Sequence, residues 1–192
     1  MPLTTLHTPR LILRPPVLED AKAIFAGYAT DPEVARYVIW TPHQSIDETR
    51  RFLKQFLESG REDDNYPWII TLRAGTLVGA MHLRVTPPRA EFGFNIARTH
   101  WNQGYGTEAV RKAIAFAFGL PGIQRVQAMC HVDNGASARV LEKGGMRREG
   151  VLRRYMSFPN VRGGGQDVML FAVVAGDDRA AREQDAREGT RG

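Results

Sequence analysis

Gly104 and Gly106 stand one residue apart in "WNQGYGTEAVRKAIAFAF", directly before a helical pattern. Glycines there remove Cβ atoms where backbone N–H groups approach a ligand closely, and a helix starting near Tyr105 aims its positive dipole end at the same place. The chemistry this suits is the cradling of a pyrophosphate; the simpler role is a tight turn that needs glycine conformations. The span "GYGTEA" has the spacing G-x-G-x-x-A of a dinucleotide fingerprint, but its surroundings differ. In that fingerprint the first glycine follows its strand closely, and an acidic residue about twenty positions on holds a ribose. Here "RTHWNQ" intervenes, and no Asp or Glu occurs between Glu108 and Asp133. A Gly-Lys-Ser/Thr phosphate loop is absent too. The expected ligand carries a pyrophosphate and is neither NAD nor a nucleoside triphosphate.

Such a loop needs a strand to deliver it and a second strand after its helix. In "AEFGFNIA", alternation puts Phe92, Phe94 and Ile96 on one face and Glu91, Gly93 and Asn95 on the other. Ala109, Val110, Ala113, Ile114 and Ala117 mark the buried side of the following helix, and "RVQAMCHV" reads as the next strand. From Ala90 to Val132 this is a βαβ unit, so its strands should be parallel with a right-handed crossover. Ligands are expected where the C-terminal ends of those strands meet the helix start.

The remaining elements frame that unit. "WIITLR" and "LVGAMHLRV" flank "AGT" as an antiparallel hairpin. Ahead of it come the strand "RLILR", a helix in "VLEDAKAIFAGYA", and a short helix in "DPEVARYV" with Asp31 as cap and Pro32 first. A longer helix in "SIDETRRFLKQFLES" opens with a capping box, Ser45 and Glu48. "DNGASARVLEKGG" reads as a helix capped by Asp133 or Asn134, and strands around "GVLRRYM" and "DVMLFAVV" finish the chain. The expected fold class is mixed α/β: one twisted mixed sheet, mostly antiparallel with one parallel pair, flanked by helices.

With 192 residues, 43% of them hydrophobic, the chain suits one core, expected over residues 1–175. Residues 176–192 are charged and lack aromatics, which predicts a flexible tail. One cysteine, Cys130, excludes an internal disulfide, and no apolar N-terminal run suggests a signal or span, so a cytoplasmic protein is expected. The net charge of +5 favours an anionic partner. The basic residues are scattered, so neither nucleic acid nor membrane is expected as a partner. His131 has no ligand-spaced companions, and no metal is expected. Cys130 alternates with Met129 and His131 in a strand and should be buried.

"AEFGFNIARTHWNQGYGTEAV" and "VDNGASARVLEKGGM" together resemble the GNAT N-acetyltransferase superfamily, in its RimJ/RimL-like branch, over about Arg10 to Val174. The resemblance implies acetyl-CoA-dependent acyl transfer. It implies that amides near Gln103, Gly104, Gly106 and Thr107 hold the CoA pyrophosphate, that the strand through Phe94 and Ile96 hydrogen-bonds the pantetheine arm, and that Asn134 lies near that arm. Ser137 matches the serine of the branch's N-x-x-S pattern. Two positions depart: Trp101 stands where Gln or Arg often precedes the first glycine, and Leu141 stands where a tyrosine acid is frequent. A homodimer is implied as one possible assembly.

Acetyl transfer needs a neutral amine, a polarised thioester carbonyl and a tolerable thiolate. At pH 7 roughly one α-amine in ten is neutral, against fewer than about one lysine amine in a thousand. Glu91 is the first candidate base, because it shares a strand face with Gly93, whose missing side chain leaves room for substrate or water; otherwise it is an exposed strand-end carboxylate. Ser137 is a candidate donor to the departing sulfur, or it bonds local backbone. Tyr155 is a second acid candidate and, like Trp40, a candidate substrate-binding residue. Trp40, with Tyr37 and His43, either shapes a substrate slot or packs between two helices. Asp167 either meets a cationic amine or is a solvated strand-end charge. The acceptor is either a protein N-terminal α-amine or a small amine such as an antibiotic, polyamine or amino acid derivative. A non-catalytic acyl-CoA-binding sensor is the remaining alternative.

Overall fold

Alternating apolar residues and turn chemistry build one eight-stranded sheet in the computed structural model, which describes residues 4–59 and 64–177. The strands are β1 (Leu6–His7), β2 (Leu11–Arg14), β3 (Asn65–Leu72), β4 (Leu77–Thr86), β5 (Arg89–Ile96), β6 (Arg125–His131), β7 (Arg147–Met156) and β8 (Gln166–Val174). They lie in the order β1-β2-β3-β4-β5-β6-β8-β7. Every pair is antiparallel except β5 and β6. The expected mixed sheet with one parallel βαβ pair is therefore present. The charged tail falls outside the described residues from position 178 on.

The helices are α1 (Ala21–Ile24), α2 (Pro32–Ala35), α3 (Ile46–Ser59), α4 (Tyr105–Phe118) and α5 (Gly135–Lys143). Asp31 Oδ1 accepts from the Glu33 N–H at 2.9 Å and caps α2. The box before α3 sits one residue out from its expected place: Ser45 Oγ accepts from the Glu48 N–H, but Glu48 Oε2 accepts from the Gln44 N–H. None of the described helices is long and apolar enough to cross a membrane.

Strand alternation divides the core between two faces. On one, Leu11, Leu13, Trp68, Ile70, Met81, Leu83, Phe92, Val126 and Phe171 pack against the apolar stripe of α4, whose Ala109, Val110, Ala113, Ile114 and Ala117 are all buried. On the other, Ile69, Ala80 and Ala97 pack against Ile24, Tyr28, Val34 and Leu53 from the N-terminal helical half. This second face carries Glu91, Gly93 and Asn95, because Phe92 points into the first core.

Candidate active site

β5 and β6 share three rungs, Arg89 with Arg125, Ala90 with Val126 and Glu91 with Gln127. Beyond the last rung β6 continues with β8 through the pair His131 and Val168, while β5 continues with β4 to Ile96. The strands therefore splay, and the β6-facing edge of β5 from Phe92 onward offers backbone groups to an extended ligand, as a sheet edge receives an added strand. Phe94 and Ile96 lie on this open edge with their side chains packed against the first core. The Ile96 carbonyl already accepts from Trp101 Nε1 at 2.7 Å, so the unexpected tryptophan closes the loop back onto the strand end.

Gly104 adopts φ +80°, a left-handed conformation that favours glycine, and caps α4. The Glu108 N–H donates to the Gly104 carbonyl, so the amides of Tyr105, Gly106 and Thr107 lie in the first turn, where helices have no internal acceptors for them. Gly106 is buried for another reason. A Cβ on it would stand 3.3 Å from Val140 Cγ1 and 3.6 Å from Ile96 Cγ1, so glycine lets α4 close on α5 and on the end of β5.

A brace from the chain's opening segment fixes this loop. Arg10 Nη1 donates to the Gln103 carbonyl at 2.9 Å, its Nε donates to Glu108 Oε2 at 2.6 Å, and its guanidinium lies 4.6 Å from the Tyr105 ring centroid. Glu108 Oε1 accepts from Thr8 Oγ1 and from the Arg10 N–H. Burial alone would raise the Glu108 pKa; the bonds from Thr8 and Arg10 outweigh it and hold the carboxyl below its ordinary value. Gln103 Nε2 donates to the Thr99 carbonyl, which further shapes the turn.

On the second face, Glu91 Oε2 accepts from Gln127 Nε2 at 2.7 Å across the last parallel rung. Gln127 Oε1 accepts from Arg125 Nε, and Arg125 is paired with both carboxylate oxygens of Glu149. The candidate base thus sits half-buried at the floor of the splay, tied to the opposite strand. His82, which sequence reading passed over, pairs with Gly93 on the same face. His131 is 2% exposed, stacked on Tyr37 at 4.7 Å and edge-on to Phe158 at 5.2 Å. Its Nδ1 accepts from the Asp133 N–H, and its Nε2 is buried without a partner.

The other candidates are spread around this cleft. Asn134 caps α5, its Oδ1 accepting from the Ser137 N–H at 3.0 Å, which brings Ser137 to the helix start beside the end of β6. Trp40 packs against Tyr28, His43 and Phe52, and its carbonyl accepts from Asn160 Nδ2. Tyr155 lies on β7, separated from β6 by β8, and is 54% exposed. Asp167 Oδ1 accepts from the Arg154 N–H, which gives it a local structural partner. Cys130 faces the first core, and burial pushes its thiol pKa up to about 11, which leaves little thiolate for an acyl intermediate. A groove of about 900 Å³ opens near Pro87, Pro88 and Val174, at the opposite end of the β5–β6 pair, and holds none of the candidate site residues.

Arg10, His82 and Gln127 were missed because their partners are distant in sequence. Only "TPRLILR" hinted at Arg10, as the polar start of a strand.

Residues 10–147 match the acetyltransferase (GNAT) domain family. The N-acetyltransferase YoaA of Bacillus subtilis, whose function is uncharacterized, is 37% identical over 174 residues, covering 88% of this chain and 96% of that protein. Two solved structures share the fold. RimL, a ribosomal L7/L12 α-N-protein acetyltransferase in complex with coenzyme A, superposes with a TM-score of 0.78 at 17% identity, over 89% of this chain and 98% of that one. The microcin C7 self-immunity acetyltransferase MccE, in complex with acetyl-CoA and AMP, has a TM-score of 0.78 at 18% identity, over 88% and 94%.

Proposed function

Since the chain belongs to the GNAT acetyltransferase family, we propose that it transfers the acetyl group of acetyl-CoA directly to a primary amine, with a protein N-terminal α-amine as the first candidate acceptor. The observation that carries the reading is the open edge of β5 leading to a left-handed Gly104 and the first-turn amides of α4. A pyrophosphate fits that end: the amides point outward, the dipole is favourable, and the turn presents no Cβ at Gly104.

Bound there, acetyl-CoA supplies a thioester whose acyl carbon an amine attacks. Amides near Gln103, Gly104, Gly106 and Thr107 hold the diphosphate, and backbone groups of Phe94 and Ile96 align the arm along β5. Asn134 shapes the start of α5 beside it. Glu91, or a water that it orders, receives the amine's proton, and its bond to Gln127 holds it at the floor of the cleft. Ser137 donates a hydrogen bond to the departing sulfur. Trp40 shapes the acceptor side through the aromatic cluster, and Tyr155, exposed on β7, contacts the outer part of a large acceptor.

An α-amine suits this arrangement because roughly one in ten is already neutral at pH 7, so a modest base suffices. RimL's acceptor is a protein N-terminus by its description, whereas MccE is an immunity acetyltransferase crystallised with AMP; the fold serves both kinds. The test is an acceptor screen with acetyl-CoA, following thiol release and product mass, using peptides that begin with Ala or Ser alongside spermidine and amino acid amides. Peptide acetylation confined to the α-nitrogen is the expected result. Turnover of the small amines alone would move the acceptor to that class, and acetyl-CoA binding without any turnover would leave an acyl-CoA sensor.

A further inference from the structure

His82 stands on β4 opposite Gly93, with Arg84 opposite Glu91 and Ala80 opposite Asn95 on the same ladder. Alternation puts all six residues on the acceptor-side face. Two features together mark the imidazole, although His131 Nε2 and Asn95 Nδ2 are also buried without a partner. The His82 Nε2 is buried and makes no hydrogen bond, although buried polar atoms almost always find a partner. Across the ladder, a Cβ on Gly93 would meet nothing within 4 Å, so the strip between His82 and the free edge of β5 is open. Glu91, by contrast, already has Gln127 bound to one carboxylate oxygen.

Resting on the acetyltransferase reading, we propose that His82 is the final proton acceptor for the attacking amine, reached through one water that lies over Gly93 and is oriented by Glu91, once a turn of the ring brings the covered Nε2 round to that water. Neighbouring strands are about 4.8 Å apart, which places β4 one strand from the reacting edge and makes a single bridging water the natural span. In the step, the amine nitrogen bonds to the thioester carbon and the C–S bond breaks, the pair leaving with sulfur as the CoA thiolate. One amine proton passes to the water while a water proton passes to Nε2. The imidazolium then returns its proton to solvent.

The surroundings keep His82 ready for this. Burial lowers its pKa below the ordinary 6.5, and Arg84 lowers it further, so the ring is neutral at neutral pH. The groups around it are Arg84 along β4, Glu91 across the ladder and, from α3 packed over the face, the ring of Phe56 at 5.8 Å.

The experiment compares wild type with His82→Gln and His82→Asn, using acetyl-CoA and hexapeptide amides beginning with Ala or Ser, with spermidine as a third acceptor. Calorimetry of acetyl-CoA and circular dichroism accompany the kinetics. The expected result is unchanged acetyl-CoA affinity, a loss of at least about a hundredfold in kcat/KM at pH 7, and, beyond the acid limb that the amine's own protonation gives every variant, a second fall at lower pH in the wild-type profile that both variants lack. Ring-nitrogen NMR should show His82 still neutral at pH 6.5. Variant rates within threefold of wild type, a second acid-side fall retained in the variants, or a His82 ring protonated at pH 6.5 would each overturn the proposal while leaving the acetyltransferase reading intact. A wild type that binds acetyl-CoA and acetylates none of the three acceptors overturns both.

Discussion

Replacing Arg10 by alanine removes the brace from the glycine loop while sparing every backbone amide in it. The side chain makes three contacts that can be sized separately. Its bond to the Gln103 carbonyl contributes about 1 kcal/mol at this exposure. The pair with Glu108 contributes about 0.5–1 kcal/mol, because Arg10's side chain is 48% exposed and solvent screens it. The guanidinium over Tyr105 adds about 0.5–1 kcal/mol. Together the loss is about 2–3 kcal/mol. If the loop must be re-ordered whenever CoA binds, that loss appears as affinity, and at about 1.4 kcal/mol per tenfold the Kd rises roughly 30- to 140-fold. Isothermal calorimetry of CoA into wild type, Arg10→Ala and Arg10→Lys measures it, with the lysine variant expected in between because it keeps the charge and loses the fork. A folded Arg10→Ala whose Kd stays within threefold of wild type would refute the link between the opening segment and the site, even if its Tm had dropped.

Gly104→Val places a β-branched residue at φ +80° and a Cβ about 3.3 Å from Arg10 Nη2. A left-handed L-residue costs about 1–2 kcal/mol, so CoA binding should weaken at least about tenfold in calorimetry while circular dichroism stays native. Asn160→Ala releases the carbonyls of Ala35 and Trp40, each held at 2.7 Å. The loss of about 1–2 kcal/mol should lower Tm by about 2–8 °C and raise the amine KM with CoA affinity unchanged, as thermal scans and kinetics would show. Acid should destabilise the fold in two stages. His43 and His82 have folded pKa values lowered by burial, so the unfolded chain binds more protons and stability falls as pH drops below 6.5. Glu108 is lowered from 4.5, so its contribution is present above that value and lost beneath it. A Tm that stays level from pH 7.5 to 5 would contradict the first stage, and His82→Gln should shrink it.

The glycine loop with its strand and helix was legible because it is local. A pair of glycines, a helix start and an alternating strand fall within thirty residues, and their periods and turn chemistry act on neighbouring side chains. The acceptor face was not. Gln127 reaches Glu91 across 36 residues, Arg10 reaches Glu108 across 98, and Asn160 reaches Ala35 across 125. No periodicity encodes such meetings; they follow from strand order. The insertion of β8 between β6 and β7 is of the same kind, since chain order alone allowed β7 to lie beside β6. Elements that break local rules were also misjudged. β3 starts at Asn65 and carries Pro67, which hid its first three residues, and β1 is only two residues long. The first helix turns into a π-helical stretch over Phe25–Ala29, which a period of 3.6 cannot announce. Gly106 was correctly placed at the loop but serves packing against Val140 more than approach to a ligand.

The three rungs that join β5 to β6 make the sheet two plates hung on a short seam. From Glu91 at the seam to Ile96 at the rim is five residues, about 16 Å at the rise of about 3.3 Å per residue, so each degree of rotation there moves the rim by about 0.3 Å. Whatever rests along β5 and whatever rests against the end of β6 belong to different plates. The apolar stripe of α4 packs on both plates and holds the seam from the first-core side, while the Glu91–Gln127 bond ties it from the other.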